Sequence, residues 1–355
     1  MTKQIRVPAV ILRGGTSKGI YLKENDLPRD KKERDAYILS IFGSPDRRQI
    51  DGLAGADPLT SKVAIIGPSS HPDADVDYTF GQVAIDRPYI DYSGNCGNIS
   101  SGVGPFAIEE SLVKAKEPRT TVRIHHTNTR KILVADVEVE DGQPVYEGDT
   151  GIDGVPGTGS TIWMDFSGTA GSTTGRILPT GNPVDVIETS RGPIEVSIVD
   201  VANVCVFVRA QDVNMQGTES PTLIDGNPDL LSILEEIRAK ATVLIGLDTT
   251  EEADTQNLPA FPMVCFVNEA QDYTAFGSNQ QILESDIDFL ARLMFMQVTH
   301  KTYAGTATAC TGAAARIKGT IVNQVCRNRA TDEPLRIGHP SGIITVLADA
   351  DEQQV

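Results

Sequence analysis

The chain has 355 residues, 40% of them hydrophobic, with 48 acidic against 31 basic side chains and a formal net charge of −17. That length accommodates two ordinary domains with separate cores, and the apolar fraction is that of a globular chain rather than a disordered or fibrous one. The negative balance argues against a basic face able to take nucleic acid, so an anionic ligand needs a locally positive site.

The amino terminus, MTKQIRVPAVILRGG, lacks the apolar core and cleavage site of a signal peptide. No apolar run reaches the roughly 20 residues of a membrane helix, so no membrane partner is expected. Gln4–Leu12 reads as a first strand, and RGGTSKG, Arg13 to Gly19, as the turn of a hairpin from Leu12 to Ile20. A phosphate loop needs separated glycines ahead of Lys-Ser or Lys-Thr; here the glycines are adjacent and Lys18 precedes another glycine. Two readings of the turn stand: a plain closing turn, or one whose backbone N–H groups and Ser17 face an anion.

Lys62 opens the strand Lys62–Gly67 within DPLTSKVAII. A lysine there is commonly a solvated strand end. Held against an apolar strand it loses proton affinity, because desolvation disfavours the ammonium, and a neutral amine can take a proton from carbon. After a strand over Val76–Asp86, SGNCGNISSGVGPFAIEE opens a helix expected over Gly97–Lys116. Cys96 stands at its start, where unsatisfied N–H groups and the positive dipole end favour a thiolate and also bind carboxylates.

TTVRIHHTN (120–128) and KILVADVEVE (131–140) are strands, and alternation turns His125 and His126 to opposite sides, so they share no metal. A Gly- and Pro-rich stretch from Asp153 to Pro183 reads as a linker. Strands follow at Ile194–Asp200, Val204–Ala210 and Met263–Asn268, with helices over Asp229–Leu247, Ser285–Thr299 and Thr311–Lys318. The last echoes the first cysteine: YAGTATACTGAAARIKG sets Cys310 in small residues ahead of an expected helix. IGHPSG then leads into a final strand, IITVLAD, where His339, Ser341 and the turn's N–H groups could hold a carboxylate.

The order is strands, a small-residue helix at a cysteine, then more strands, twice over, which describes two similar curled sheets each around one helix. Five cysteines with no CxxC spacing suggest reduced thiols and a cytoplasmic location, with Cys205, Cys265 and Cys326 as small buried residues. No histidine–carboxylate cluster has ligand spacing, so no metal is expected. Asn95, Gly97, Asn98, Thr311 and Gly312 are the binding candidates at the two helix starts, with Arg13, Lys18, His339 and Ser341 as further anchors.

RGGTSKG, GSPDRRQIDGLAGADPLTSKVAII, NCGNISSGVGPFAIE, IDGVPGT, LPTGN and HPSG, in this order, resemble the PrpF family of the diaminopimelate-epimerase-like fold. The resemblance spans most of the chain and is looser over Val201–Gln280. It implies an α+β fold of two pseudo-symmetric barrel-like halves, each with a central helix, and an active site in the cleft between them. The first half is expected over 1–183 with a returning C-terminal strand near 340–355, the second over 184–339. A basic RTARKL-like run expected after HPSG does not stand in these 355 residues.

The resemblance further implies an isomerase, without metal or organic cofactor, that moves a double bond by allylic proton transfer. Its substrate would be an unsaturated di- or tricarboxylate such as 4-oxalomesaconate, 2-methylaconitate or methylitaconate. Lys62 is then the base, with Ser17 and Cys96 lining the site and Cys310 as the partner thiol. Competing readings are a two-cysteine epimerase of an amino or hydroxy acid, a phenazine-pathway-like isomerase, and a non-catalytic accessory of a dehydratase. A homodimer is the assembly to test.

Overall fold

The computed structural model describes residues 6–248, 261–327 and 333–350. Contacts divide the chain into two compact units, Met1–Thr150 with Gly157–Gly168, and Gly151–Pro156 with Thr169–Val355. In the first, the strands are β1 (Val10–Gly14), β2 (Ser17–Lys23), β3 (Lys62–Pro68), β4 (Val76–Val83), β5 (Ile90–Asp91), β6 (Arg119–His126) and β7 (Lys131–Glu140). They assemble in the order β1-β2-β3-β4-β6-β7, with β5 on the end of β4 and Trp163–Asp165 beyond β7. The hairpin expected around RGGTSKG is present, closed by Gly14 opposite Ser17. The expected first strand begins later, at Val10; Gln4 and Ile5 lie outside the described residues.

Both faces of this sheet are covered, which explains why β3 reads as an unbroken apolar run. Val63 and Ile65 pack with Ile38 and Phe42 of α1 (Lys31–Phe42). Ala64, Ile66, Tyr78 and Phe80 pack on the opposite side against Ile99, Val103 and Phe106. Those last residues belong to α2 (Gly97–Ser100) and α3 (Val103–Glu109), where one helix was expected through Lys116. Pro105 has no N–H for the carbonyl of Ser101, so the ladder breaks there and restarts. The helix α1 was not foreseen: it buries only Ile38 and Phe42, although Asp30 caps its start and Gly43 closes it in the left-handed region.

The second unit repeats this plan. Its strands run in the order Asp185–Thr189, Gly192–Val201, Asn203–Arg209, Met263–Glu269, Phe289–Phe295, Leu335–His339, Gly342–Val346. From Gly192 onward the pairings are antiparallel, parallel, antiparallel, parallel, antiparallel. β1 to β4, β6 and β7 show the same series. Counted along the sheets from Val10 and from Gly192, each unit has its main helices between the second and third strands and between the fourth and fifth. In the second unit these are Pro228–Leu244, begun by Asn227 as expected, and Gly305–Arg316.

Three expectations are corrected here. Ser285–Thr299 is not a helix; its centre is the strand Phe289–Phe295, buried at every residue between Met263–Glu269 and Leu335–His339. A strand covered on both faces shows no alternation, and periodicity alone cannot separate it from a buried helix. The final strand pairs with Leu335–His339 and so completes the second sheet, not the first. The stretch Asp153–Pro183 carries two of the three crossings between units, yet it also supplies the edge strand Trp163–Asp165 and a loop whose Thr173 and Thr174 N–H groups bond the Asp200 carboxylate.

Candidate active site

Register lines up the polar residues of the first unit. Gly19 pairs with Lys62, Lys62 with Gln82, and Gln82 with Asp91, a row across β2, β3, β4 and β5. Directly paired residues share a face, and here it is the face under α2 and α3. Ser17, two residues before Gly19, points the same way. Lys62 is 2% exposed and Gln82 1%.

The Lys62 amine donates to Gln82 Oε1 at 2.6 Å and lies 5.5 Å from the Phe80 ring. Burial holds its proton affinity below that of an ordinary lysine, opposed by the Cys96 thiol, which it also hydrogen-bonds, and by the Asp57 carboxylate. Asp91 shows the converse: burial raises its pKa against two bonds from the Ser93 N–H and hydroxyl.

Cys96 caps α2 in extended backbone with no side-chain capping bond, and its carbonyl takes both the N–H and the hydroxyl of Ser100. Asn95 is buried and accepts from the same hydroxyl at 3.0 Å. Asn98 reaches back to the hairpin, donating to Thr16 Oγ1 at 2.8 Å and Ser17 Oγ at 3.4 Å. A Cβ on Gly14 would stand 2.0 Å from the Asn98 carbonyl oxygen, and one on Gly15 2.4 Å from Asn98 Oδ1. Only a glycine pair lets the turn approach the helix start so closely. RGGTSKG and NCGN are thus two sides of one contact, and the N–H groups of Gly97 and Asn98 fall in the first, unbonded turn.

The remaining candidates fall elsewhere. Arg13 and Lys18 pair with one another and alternate away from Ser17 and Gly19, so they do not join Lys62. Arg13 is exposed and donates to the Gly15 carbonyl, while Lys18 donates to the Leu53 carbonyl.

In the second unit the helix begins at Gly305 after an uncapped Ala304, not at the cysteine. Cys310 sits inside that helix, fully buried in the core, its thiol 3.2 Å from the Val199 carbonyl. Thr311 and Gly312 follow in the helix interior, where N–H groups are spent on the ladder. Thr311 bonds the Tyr303 hydroxyl, and Gly312 packs on Val346 and Ala348. The matched contexts NCGN and ACTG are therefore not matched in structure. Local sequence could not show this, because no capping side chain marks the true start.

His339 and Ser341 are buried at the turn between the last two strands. Burial, with the nearby Arg292 charge, lowers the His339 pKa to about 3, so it is no cation at neutral pH. Its Nδ1 accepts the Ser341 N–H, which assigns the proton to Nε2. The Ser341 hydroxyl donates to the Lys301 carbonyl, so both Ser341 donors are committed. Asp153, from IDGVPGT, accepts the Ile343 N–H at 2.7 Å and fixes this turn. Among the described residues no group of His, Cys, Asp and Glu is placed to hold a metal, and no helix is long and apolar enough to cross a membrane.

Gln82 was missed. Its signal lay in Val76, Tyr78, Phe80 and Gln82, an alternating face on which a glutamine replaces the next apolar residue.

Twin α+β halves, each a mixed sheet with the same series of pairings, define a protein of the diaminopimelate-epimerase-like class. A hydroxyproline epimerase from Agrobacterium vitis, 12% identical, shares this fold with a TM-score of 0.54 over 94% of this chain and 81% of its own. The chain belongs to the PrpF family, whose model, PrpF protein, matches residues 4–355. It is 63% identical to the 3-methylitaconate isomerase of Eubacterium barkeri over all of this chain and 93% of that protein. A crystal structure of methylitaconate-delta-isomerase is 64% identical and superposes with a TM-score of 0.84 over 99% of this chain and 91% of that one. The protein is an isomerase of this family.

Proposed function

We propose that the chain isomerises 3-methylitaconate, or a close unsaturated di- or tricarboxylate, by a cofactor-independent 1,3-proton transfer with Lys62 as the base. The observation that carries this is the Lys62 amine: buried, of lowered proton affinity, and bonded to the neutral amide of Gln82. The strong identity to a 3-methylitaconate isomerase supports that acid ahead of oxalomesaconate or methylaconitate.

In 3-methylitaconate the most acidic C–H lies between the double bond and a carboxylate. Lys62 takes that proton, and the electron pair spreads through the double bond and the carboxylate as a dienolate. The N–H groups of Gly97 and Asn98 and the Ser17 hydroxyl, which Asn98 Nδ2 holds in place, are the donors available to that charge, where preorganised hydrogen bonds contribute most. A proton delivered to the terminal methylene by the Lys62 ammonium or the Cys96 thiol makes it a methyl group. The double bond then lies between the two carboxylate-bearing carbons, with no atom gained or lost. A cytoplasmic homodimer remains part of this reading.

Lys62→Met is expected to lower kcat on 3-methylitaconate by about 10²–10⁴-fold, the usual contribution of a general base, with the circular dichroism spectrum unchanged. A folded Lys62→Met enzyme turning over at the wild-type rate would sink the proposal.

A further inference from the structure

We propose that Gln82 is the positioning residue of the reaction, acting through Lys62: its amide oxygen takes one N–H of the amine and, carrying no charge, leaves that amine able to work as a base. This rests on the reading of Lys62 given above.

The amide cannot be turned the other way. Gln82 Nε2 donates to the carbonyls of Pro58 and Ser61, both at 3.1 Å, so both its N–H bonds are spent on the loop that delivers Lys62. A flipped amide would set its oxygen against two carbonyls and its NH₂ against the amine. The oxygen is thereby aimed at Lys62 Nζ. An amine that gives one N–H in a fixed direction has its lone pair confined to the two remaining tetrahedral directions, which narrows the approach open to a carbon acid.

The usual partner of a buried lysine is a carboxylate, which would hold the proton on the amine. An amide of the same shape supplies the geometry without the charge. The other groups facing the amine are the Cys96 thiol at the start of α2, Asp57 in the preceding loop and the Phe80 ring on β4, with Asp91 one step further along the row. The fold itself does not require this polar pair. In the second sheet the equivalent ladder runs from Cys205 to Met263 and on toward Phe295, all apolar.

The test is the pH profile of kcat/KM on 3-methylitaconate for wild type, Gln82→Glu and Gln82→Met, with Lys62→Met as control. A carboxylate at 82 stabilises the ammonium, so the acidic limb moves to higher pH by about 1–3 units, the effect of a close opposite charge. Removing the acceptor destabilises the ammonium, so in Gln82→Met the limb moves to lower pH, with kcat reduced and KM within a few-fold of wild type. If Gln82→Glu fails to fold, the downward move in Gln82→Met carries the test alone. Slower variants whose limbs stay at the wild-type position would make Gln82 a packing residue and overturn the inference. Undiminished turnover in Lys62→Met would instead overturn the assignment of the base, and this inference with it.

Discussion

Gly14 and Gly15 lie where any side chain would strike Asn98, and Asn98 in turn holds Thr16 and Ser17. The donors proposed for the substrate's negative charge are thus set by backbone contact between two motifs far apart in sequence. Gly14→Ala is expected to push the helix start away and lower kcat/KM by about 10²-fold, the scale of a 1 Å misplacement, while the unit stays folded. Near-wild-type kinetics would show that this contact does not position the site. At this scale Ser17, Asn98 and Cys96 drew attention through the small residues of their motifs, and Lys62 through the family resemblance and the effect of burial on an amine at the start of an apolar strand. Gln82 did not, because one glutamine in a strand reads as a solvent-facing residue until its neighbours are known.

Among the elements, the helix Gly305–Arg316 separates the proposed mechanism from a two-thiol epimerase. Cys310 lies in its buried middle, bonded to the Val199 carbonyl among Cys205, Cys265 and Tyr303. Cys310→Ala is expected to cost about 1–2 kcal/mol in urea unfolding, from lost packing and one hydrogen bond, and to keep kcat within about threefold. A stable Cys310→Ala protein without turnover would restore the two-thiol reading. The failure to foresee this has a specific cause: the start at Ala304 has no capping side chain, whereas Asn227 and Pro228 announced their helix plainly. Phe289–Phe295 stayed hidden for the opposite reason, being apolar on both faces.

The whole molecule is a duplicated plan used asymmetrically. Both sheets share one series of pairings, but only the first places a lysine and a glutamine on the inner ladder. The twofold repetition was visible in the order of strands and small-residue helices. The ends of the halves were not: the final strand closes its own sheet, and nothing local distinguishes that from a return to the first. The central claim, that this asymmetry serves one allylic proton transfer, is tested most directly by proton NMR in D₂O. The purified protein is incubated with 3-methylitaconate beside the Lys62→Met variant. The Lys62 mechanism predicts loss of the methylene signals and growth of a new methyl signal, with solvent deuterium or the migrated proton on that carbon, at a rate Lys62→Met does not support. Deuterium entering the C–H next to the carboxylate equally fast in wild type and Lys62→Met, with the double bond left in place in both, would contradict it and identify an epimerase.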